Sequence, residues 1–378
     1  MSRRLYIHED ESWPKLYWSR EQVAGPLAAV RLAQGRLIGH MEALGFKLRE
    51  EAVLRTLTAD VVKTSEIEGE RLDAEQVRSS LARRLGMDVG GLKPADRSVE
   101  GVVEMMLDAT RRYDQPLTRE RLFAWHAALV PTSRSGMRPI TAGAWRDDST
   151  GPMQVVSGPV GRARVHFGAP IAARLEREMG LFLEWFNAGV AIDPLLKAAL
   201  AHLWLVTVHP FDDGNGRIAR AIADLALARS ENSPQRFYSM SAQIRSERTA
   251  YYEILEQTQK GALDITPWME WFVGCLGRAI DGAEAGLSAV LEKARFWERI
   301  DDVPLNERQR MVLNRVLDGF EGKLTTSKYA KLAQCSPDTA LRDIVALIDR
   351  GILVRSPSGG RSTSYDLVPL RRGLDCRV

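Results

Sequence analysis

Apolar residues recur at three- and four-residue intervals over most of this chain, a spacing that predicts helices. Two such stretches, GPLAAVRLAQGRLIGHMEAL and EEAVLRTLTADVVKTSEIEGE, fill much of the N-terminal region, and neither is read as broken by a proline. GMDVGGLKPADRS then gathers Gly, Pro and Asp into a loop, followed by a further helix, GVVEMMLDATRRY. From Leu117 to Trp271 the helical pattern is interrupted once, by GMRPITAGAWRDDSTGPMQVVSGPVGRARVHFGAP, where MQVVS and ARVHF flank a Gly-Pro-Gly turn and predict a β-hairpin. PLLKAALAHLWLVTV is apolar nearly all round, so it is expected to be a central buried helix, and RIARAIADLALA is similar. After Pro304 the pattern changes: NERQRMVLNRVL, TTSKYAKLA and DTALRDIVALIDRG predict three helices, and ILVRSPSGGRSTSYDL two strands around a Ser/Gly turn. That order is the order of a winged helix. The fold class expected is all-α with one small β-hairpin.

A chain of 378 residues is long for one domain. The breaks in pattern divide it into a helical region at 1–95, a central core at 96–298 and the winged-helix segment at 299–378. Lys and Arg (52) nearly balance Asp and Glu (49), so no molecule-wide positive field exists and any nucleic-acid contact must be local. The three cysteines, Cys275, Cys335 and Cys376, lack the close pairing of a disulfide framework or zinc site, which suits a reducing compartment. The opening MSRRLYIHEDESW is polar where an export signal needs an apolar core, and no apolar run reaches membrane-spanning length. A cytoplasmic protein without a membrane partner is expected.

The chemistry concentrates in His209 to Arg220, HPFDDGNGRIAR. Glycines on either side of Asn215, where one helix ends and another begins, leave backbone N–H groups free to point at an anion. The second helix adds the positive end of its dipole, an arrangement that commonly holds polyphosphate. Arg217 and Arg220, three apart on its first turn, can fork onto neighbouring phosphate oxygens. Asp213 offers a hard oxygen ligand suited to magnesium. The imidazole of His209 can take a proton near neutral pH. Together these imply attack by a hydroxyl on a nucleotide phosphate. His202, two helical turns before His209 on the same face, is read as a packed core histidine, because no third ligand is spaced to complete a zinc site with Asp213.

The segment resembles the signature of the Fic family, His-Pro-Phe-x-(Asp/Glu)-Gly-Asn-Gly-Arg-x-x-Arg, at every fixed position. The resemblance implies transfer of AMP from Mg-ATP to a Ser, Thr or Tyr hydroxyl of a target protein, the enzyme itself among the candidate targets. His209 then corresponds to the general base and Asp213 to the magnesium ligand. Gly214, Asn215 and Gly216 correspond to the hole around the α-phosphate, Arg217 and Arg220 to the grip on the outer phosphates, and Phe211 to the anchor of the loop. The hairpin resembles the flap that docks the target as an added strand, with Val155, Val156, Val165 and Phe167 as its candidates. Tyr251, Tyr252 and Gln259 fall in the stretch that resembles the family's adenine-covering region. Family members often form homodimers.

Thr64-Ser-Glu-Ile-Glu68-Gly69 fits the family's inhibitory pattern of Ser/Thr, three residues, Glu, then Gly or Asn. Glu68 is expected to pair with Arg220, occupying the guanidinium that would hold the γ-phosphate. The stretch around Trp13 and Trp18 resembles an uncharacterised N-terminal extension of some Fic proteins and shows no chemistry. In the winged-helix segment, Ser336 or Asp338 is expected to cap the second helix of a helix-turn-helix, with Arg342 facing outward and Arg355 and Arg361 in the wing. DNA is a candidate partner there, as is another protein. Two rival functions stay open: removal of AMP, with Glu68 positioning a water, and a nucleotide-sensing DNA-binding regulator.

Overall fold

The computed structural model describes residues 6–87, 94–135, 138–149, 151–158, 162, 164–189, 192–317, 323–356 and 363–368. Part of the loop expected after Gly86, the tip of the expected hairpin, and Arg361 and Cys376 lie outside them. The described residues form helices joined by short loops, with three small antiparallel sheets. None of those helices is long and apolar enough to cross a membrane. The chain folds as two compact units, Met1–Glu284 and Ala285–Val378.

In the first unit, α1 (Arg20–Glu42) starts where the Ser19 hydroxyl accepts the N–H of Gln22, so Pro26 lies inside it. The apolar spacing alone begins at Gly25; the cap and the neighbouring turn extend the helix backwards despite the proline. Helix α2 (Phe46–Ile67) leads to α3 (Ala74–Leu85), capped by Asp73 and ended by Gly86 in the left-handed region at φ 71°. Helices α4 (Arg97–Arg111) and α5 (Arg119–Leu129) cross so closely that a Cβ on Gly101 would come within 1.9 Å of the Ala128 carbonyl oxygen.

Strands β1 (Arg134–Ser135) and β2 (Arg138–Pro139) form a small ladder, too short for periodicity to show. The expected hairpin is β3 (Gln154–Ser157) against β4 (Arg164–Gly168), with an irregularity between Val155 and Val156. Then follow α6 (Leu175–Asn187), α7 (Pro194–Val208), α8 (Asn215–Glu231), α9 (Met240–Ser246), α10 (Arg248–Gln259) and α11 (Thr266–Arg299), the last running past the end of the first unit. Every residue of α7 from Ala198 to Val208 is buried, and most of α8 is too, so these two apolar helices form the centre expected of them. Helix α2 is fixed to this centre by polar as well as apolar contacts: buried Asp60 accepts from the Ser239 hydroxyl at the start of α9 (2.5 Å).

The second unit has its own core, in which Val312, Leu313, Tyr329, Ile344, Leu347 and Tyr365 are buried. It contains α12 (Glu307–Leu317), β5 (Leu324–Thr325), α13 (Thr326–Leu332), α14 (Pro337–Asp349), β6 (Leu353–Arg355) and β7 (Ser364–Leu367). β7 is the middle strand, with β5 and β6 on its two sides. Three helices and two strands match the sequence reading; β5 is additional, a two-residue strand that pairing with β7 creates. Of the two candidate caps, Ser336 does the capping, its hydroxyl accepting the N–H of Thr339 (3.2 Å).

Candidate active site

The loop between α7 and α8 is shaped by backbone signs. His209 ends α7 in the left-handed region at φ 51°, ψ 58°, and Gly214 precedes α8 at φ 79°. Gly214 provides no side-chain cap. As the first helical positions, Asn215, Gly216 and Arg217 have N–H groups with no intrahelical acceptor, so the positive end of α8 opens onto the loop. The side chain of Asn215 does not line that opening. It is buried and braces the loop, accepting from the Phe211 N–H (3.0 Å) and donating to the Phe211 carbonyl (2.7 Å). Phe211 is fully buried and stacks on His126 at 4.3 Å between ring centres, which anchors the loop in the core as expected.

His209 is half-buried, and its Nδ1 lies 3.2 Å from the Val206 carbonyl. A carbonyl can only accept, so Nδ1 carries the proton and Nε2 keeps its lone pair. Burial pushes its pKa down to about 4; nearby Arg146 acts in the same direction, against the Val206 carbonyl, Glu68 and Asp213. The imidazole is therefore neutral at pH 7 and competent as a base. Asp213 is half-buried, and its Oδ1 accepts the N–H of Gly214 (2.6 Å).

Glu68 ends α2, and its Oε1 lies 2.7 Å from Nη2 of Arg220, which also donates to the Thr64 carbonyl (2.9 Å) while Nε donates to the Thr64 hydroxyl (2.7 Å). Burial works against the charge of Arg220, and Glu68 overrides it. The carboxylate also reaches the start of α8: a Cβ on Gly216 would come within 2.1 Å of Glu68 Oε1. An anion from α2 thus rests on the glycine of the nest, and only a residue without Cβ leaves room for it. Gly69, at φ 88°, reverses the chain after Glu68. That turn brings Glu70 onto Arg217, with Oε2 2.6 Å from Nη1.

Glu70 was not among the expected site residues, although its place two residues beyond Glu68 was the available signal. Helix α10 holds the end of α2 in position, since Arg248 Nε (2.8 Å) and the Tyr252 hydroxyl (3.3 Å) both donate to the Ile67 carbonyl. Even so, Nε of Arg217 and Nη1 of Arg220 are buried without a hydrogen-bond partner, two donors suited to further anionic oxygens.

Of the remaining expected residues, Tyr251 and Tyr252 lie beside the Glu68–Arg220 pair. Tyr251 is buried and hydrogen-bonded to His202 (2.8 Å), and Gln259 is buried with its amide donating to the Val206 carbonyl (3.2 Å) and the Thr207 hydroxyl (3.3 Å). Both hydrogen-bond to α7. Tyr252 is 36% exposed. In the hairpin, Phe167 is 1% exposed against Tyr6 and His8, whereas Val156 is 52% exposed and Val155 and Val165 are half-buried. Burial pushes His202 down to about 3, with Arg220 adding to the effect, so it is a neutral core residue.

Magnesium fits this loop in one way. Among the described residues no three His, Cys, Asp or Glu side chains gather to hold a metal, so an ion at Asp213 would take its other ligands from phosphate and water. That is how magnesium is usually held beside a nucleotide.

Comparison with known proteins agrees with the motif. Residues 6–87 match a domain of unknown function, DUF4172, and residues 116–227 match the Fic/DOC family. A protein adenylyltransferase Fic from Aedes aegypti is 28% identical over 225 residues, 57% of this chain and 39% of the relative. One from Nematostella vectensis is 36% identical over 116 residues, 30% of this chain and 25% of the relative. The chain spans well under half the length of these curated relatives. A Fic family protein from Desulfovibrio desulfuricans aligns over 96% of this chain and all of its own, with a TM-score of 0.53 at 21% identity. A Fic-domain protein from Bacteroides thetaiotaomicron gives 0.50 at 19%, over 68% of this chain and 96% of its own. At those identities the likeness is one of fold. The family match, residues 116–227, contains the HPFDDGNGRIAR turn, so this stretch of the chain carries the Fic/DOC likeness in both profile and motif.

Proposed function

We propose that the protein is an adenylyltransferase that moves AMP from Mg-ATP to a Ser, Thr or Tyr hydroxyl of a target protein and is held inactive by its own α2. The observation that carries this reading is the uncapped start of α8 beside a neutral His209, with the Glu68 carboxylate seated where a phosphate would bind. The names of its relatives support the same chemistry.

In this mechanism the N–H groups at the start of α8 hold the α-phosphate, and Arg217 and Arg220 hold the outer phosphates. Asp213 would hold the magnesium ion, which shields the charge that builds on pyrophosphate. His209 Nε2 takes the proton as the target oxygen bonds to the α-phosphorus; the bond from that phosphorus to the bridging oxygen breaks and pyrophosphate leaves. Supporting inhibition, Glu68 pairs with Arg220 and Glu70 with Arg217, the two arginines assigned to the phosphates. ATP admitted beside them sits out of line, and an error of about an ångström suppresses transfer by roughly a hundredfold.

Radiolabelled ATP incubated with the Glu68→Gly protein tests the proposal directly. Label appearing on protein, and vanishing in the Glu68→Gly, His209→Ala double variant, is expected; no label in the single variant would reject the reading. Because a carboxylate stands at the nest, removal of AMP is a second reading, with Glu68 orienting a water. AMP release from a modified protein by the unmutated chain, with magnesium and no ATP, would favour it. For the division of labour, we propose residues 1–95 as regulator, 96–298 as catalytic core and 299–378 as a winged helix. DNA binding by that last segment predicts retention on duplex DNA at low salt that falls steeply as salt rises.

A further inference from the structure

Arg146, in the loop before the hairpin, has a side chain with no solvent exposure. A guanidinium survives there only if its donors are used. Nε donates to the His209 carbonyl (2.8 Å), Nη2 to the Pro170 carbonyl and Nη1 to Asp148 Oδ1 (2.9 Å). Its backbone N–H donates to the Pro210 carbonyl (2.9 Å). Asp148 in turn accepts the N–H of Ala172 through Oδ2 (2.6 Å). One residue therefore grips two consecutive carbonyls of the His209 turn and ties them to the chain just after β4.

This grip falls on a backbone that needs one. His209 adopts φ 51°, a left-handed conformation that strains a residue with a Cβ. Within its own helix the imidazole has a single bond, the 3.2 Å contact from Nδ1 to Val206. The peptide group and the ring share one Cα, so a rotation of the His209–Pro210 peptide swings Nε2. We propose that Arg146 is the positioning residue of the transfer reaction: by holding the carbonyls of His209, Pro210 and Pro170 together, it fixes the direction of Nε2 relative to the phosphate nest and to the hairpin. The proposal rests on the adenylyltransferase reading for its kinetic consequence, and on geometry alone for the state of the ring.

The Arg146→Lys variant, made in the Glu68→Gly background, separates positioning from bulk charge, because an ammonium keeps the charge but cannot fork to three acceptors. With the thermal unfolding midpoint checked, kcat for AMP transfer is expected to fall about 10- to 100-fold, while KM for ATP stays near the parent value, since Arg217, Arg220 and the α8 N–H groups are untouched. Unchanged kcat, or a change confined to KM, would overturn the proposal. A ¹⁵N spectrum of the imidazole nitrogens provides an independent readout. The parent should show His209 as the Nδ1–H tautomer alone and Arg146→Lys a mixture. A tautomer mixture in the parent would overturn the proposal even if the variant failed to fold. An inactive Glu68→Gly parent would reject adenylyl transfer instead, and the spectrum would then decide the role of Arg146 alone.

Discussion

Two helices of this molecule begin after short turns, and they begin in opposite ways. Helix α14 is closed by its own sequence: the Ser336 hydroxyl accepts the Thr339 N–H, and Pro337 removes an N–H that would need a partner. Helix α8 opens after Gly214, which has no side chain to offer, and a carboxylate carried in from the end of α2 lies against Gly216 and pairs with Arg220. The exposed face of α14 carries Leu341 and Val345 beside Arg342, whereas the arginines at the start of α8 are buried and paired to acids. A self-capped helix start is a structural joint. An uncapped one, buried and lined with arginine, is a place prepared for an anion from elsewhere.

The sharpest way to break this contrast is to remove His209, the proposed base at the open turn. His209→Ala in the Glu68→Gly background should lower AMP transfer by about 10²- to 10⁴-fold, measured with radiolabelled ATP, with the unfolding midpoint close to that of the parent. The next effect comes from the carboxylates that pair with the arginines of α8. Loss of a charge-assisted bond to a buried guanidinium, about 1.5–3 kcal/mol, predicts that Glu68→Gly raises the labelling rate roughly 10- to 100-fold. Glu70 is 49% exposed, so its pair with Arg217 is screened. Glu70→Ala should raise the rate less than about fivefold, and more when combined with Glu68→Gly. Equal effects from the two would show that burial does not grade the lock.

A titration probes the same turn. A base works only when unprotonated, and burial holds His209 down to about 4, so the acid limb of kcat/KM should fall near that pH. A limb at the ordinary histidine value would mean that the ring is solvated in the working enzyme. The smallest change in activity belongs to the closed helix start. Ser336→Ala should leave AMP transfer unaltered and cost the Ala285–Val378 unit about 1 kcal/mol, read as a lower unfolding midpoint by circular dichroism.

Much of the candidate site was legible because its residues lie in one run. HPFDDGNGRIAR carries the proposed base and metal ligand with the glycines and arginines in one short run between and into helices, and local geometry alone places them together. The pairing of Glu68 with Arg220 was legible for a different reason: the two stand 152 residues apart, and the resemblance to a known pattern linked them where no periodicity could. Arg146 had no such signal. It is one arginine among many in a Gly-rich loop, and its importance arises from the carbonyls it meets. Glu70 lay beside the pattern, yet its direction depends on the reversal at Gly69. Asn215 was assigned to the phosphate hole with its glycines, but its amide turns back onto Phe211, a choice made by the burial of that ring. Tyr251 and Gln259, in the stretch that resembles the adenine-covering region, bond to α7, because the central helix needs polar partners for His202, Val206 and Thr207.

By itself the sequence determined most of the helices, where the hairpin lies, that the second unit has three helices and a closing pair of strands, and that a glycine-rich turn joins the two central buried helices. These follow from short-range rules of spacing, capping and glycine freedom. Tertiary structure alone decided which donors are already taken, which arginines are buried, and which carboxylates reach them. Those outcomes depend on contacts between residues distant in sequence, where desolvation makes every unpaired charge costly and so selects the partners.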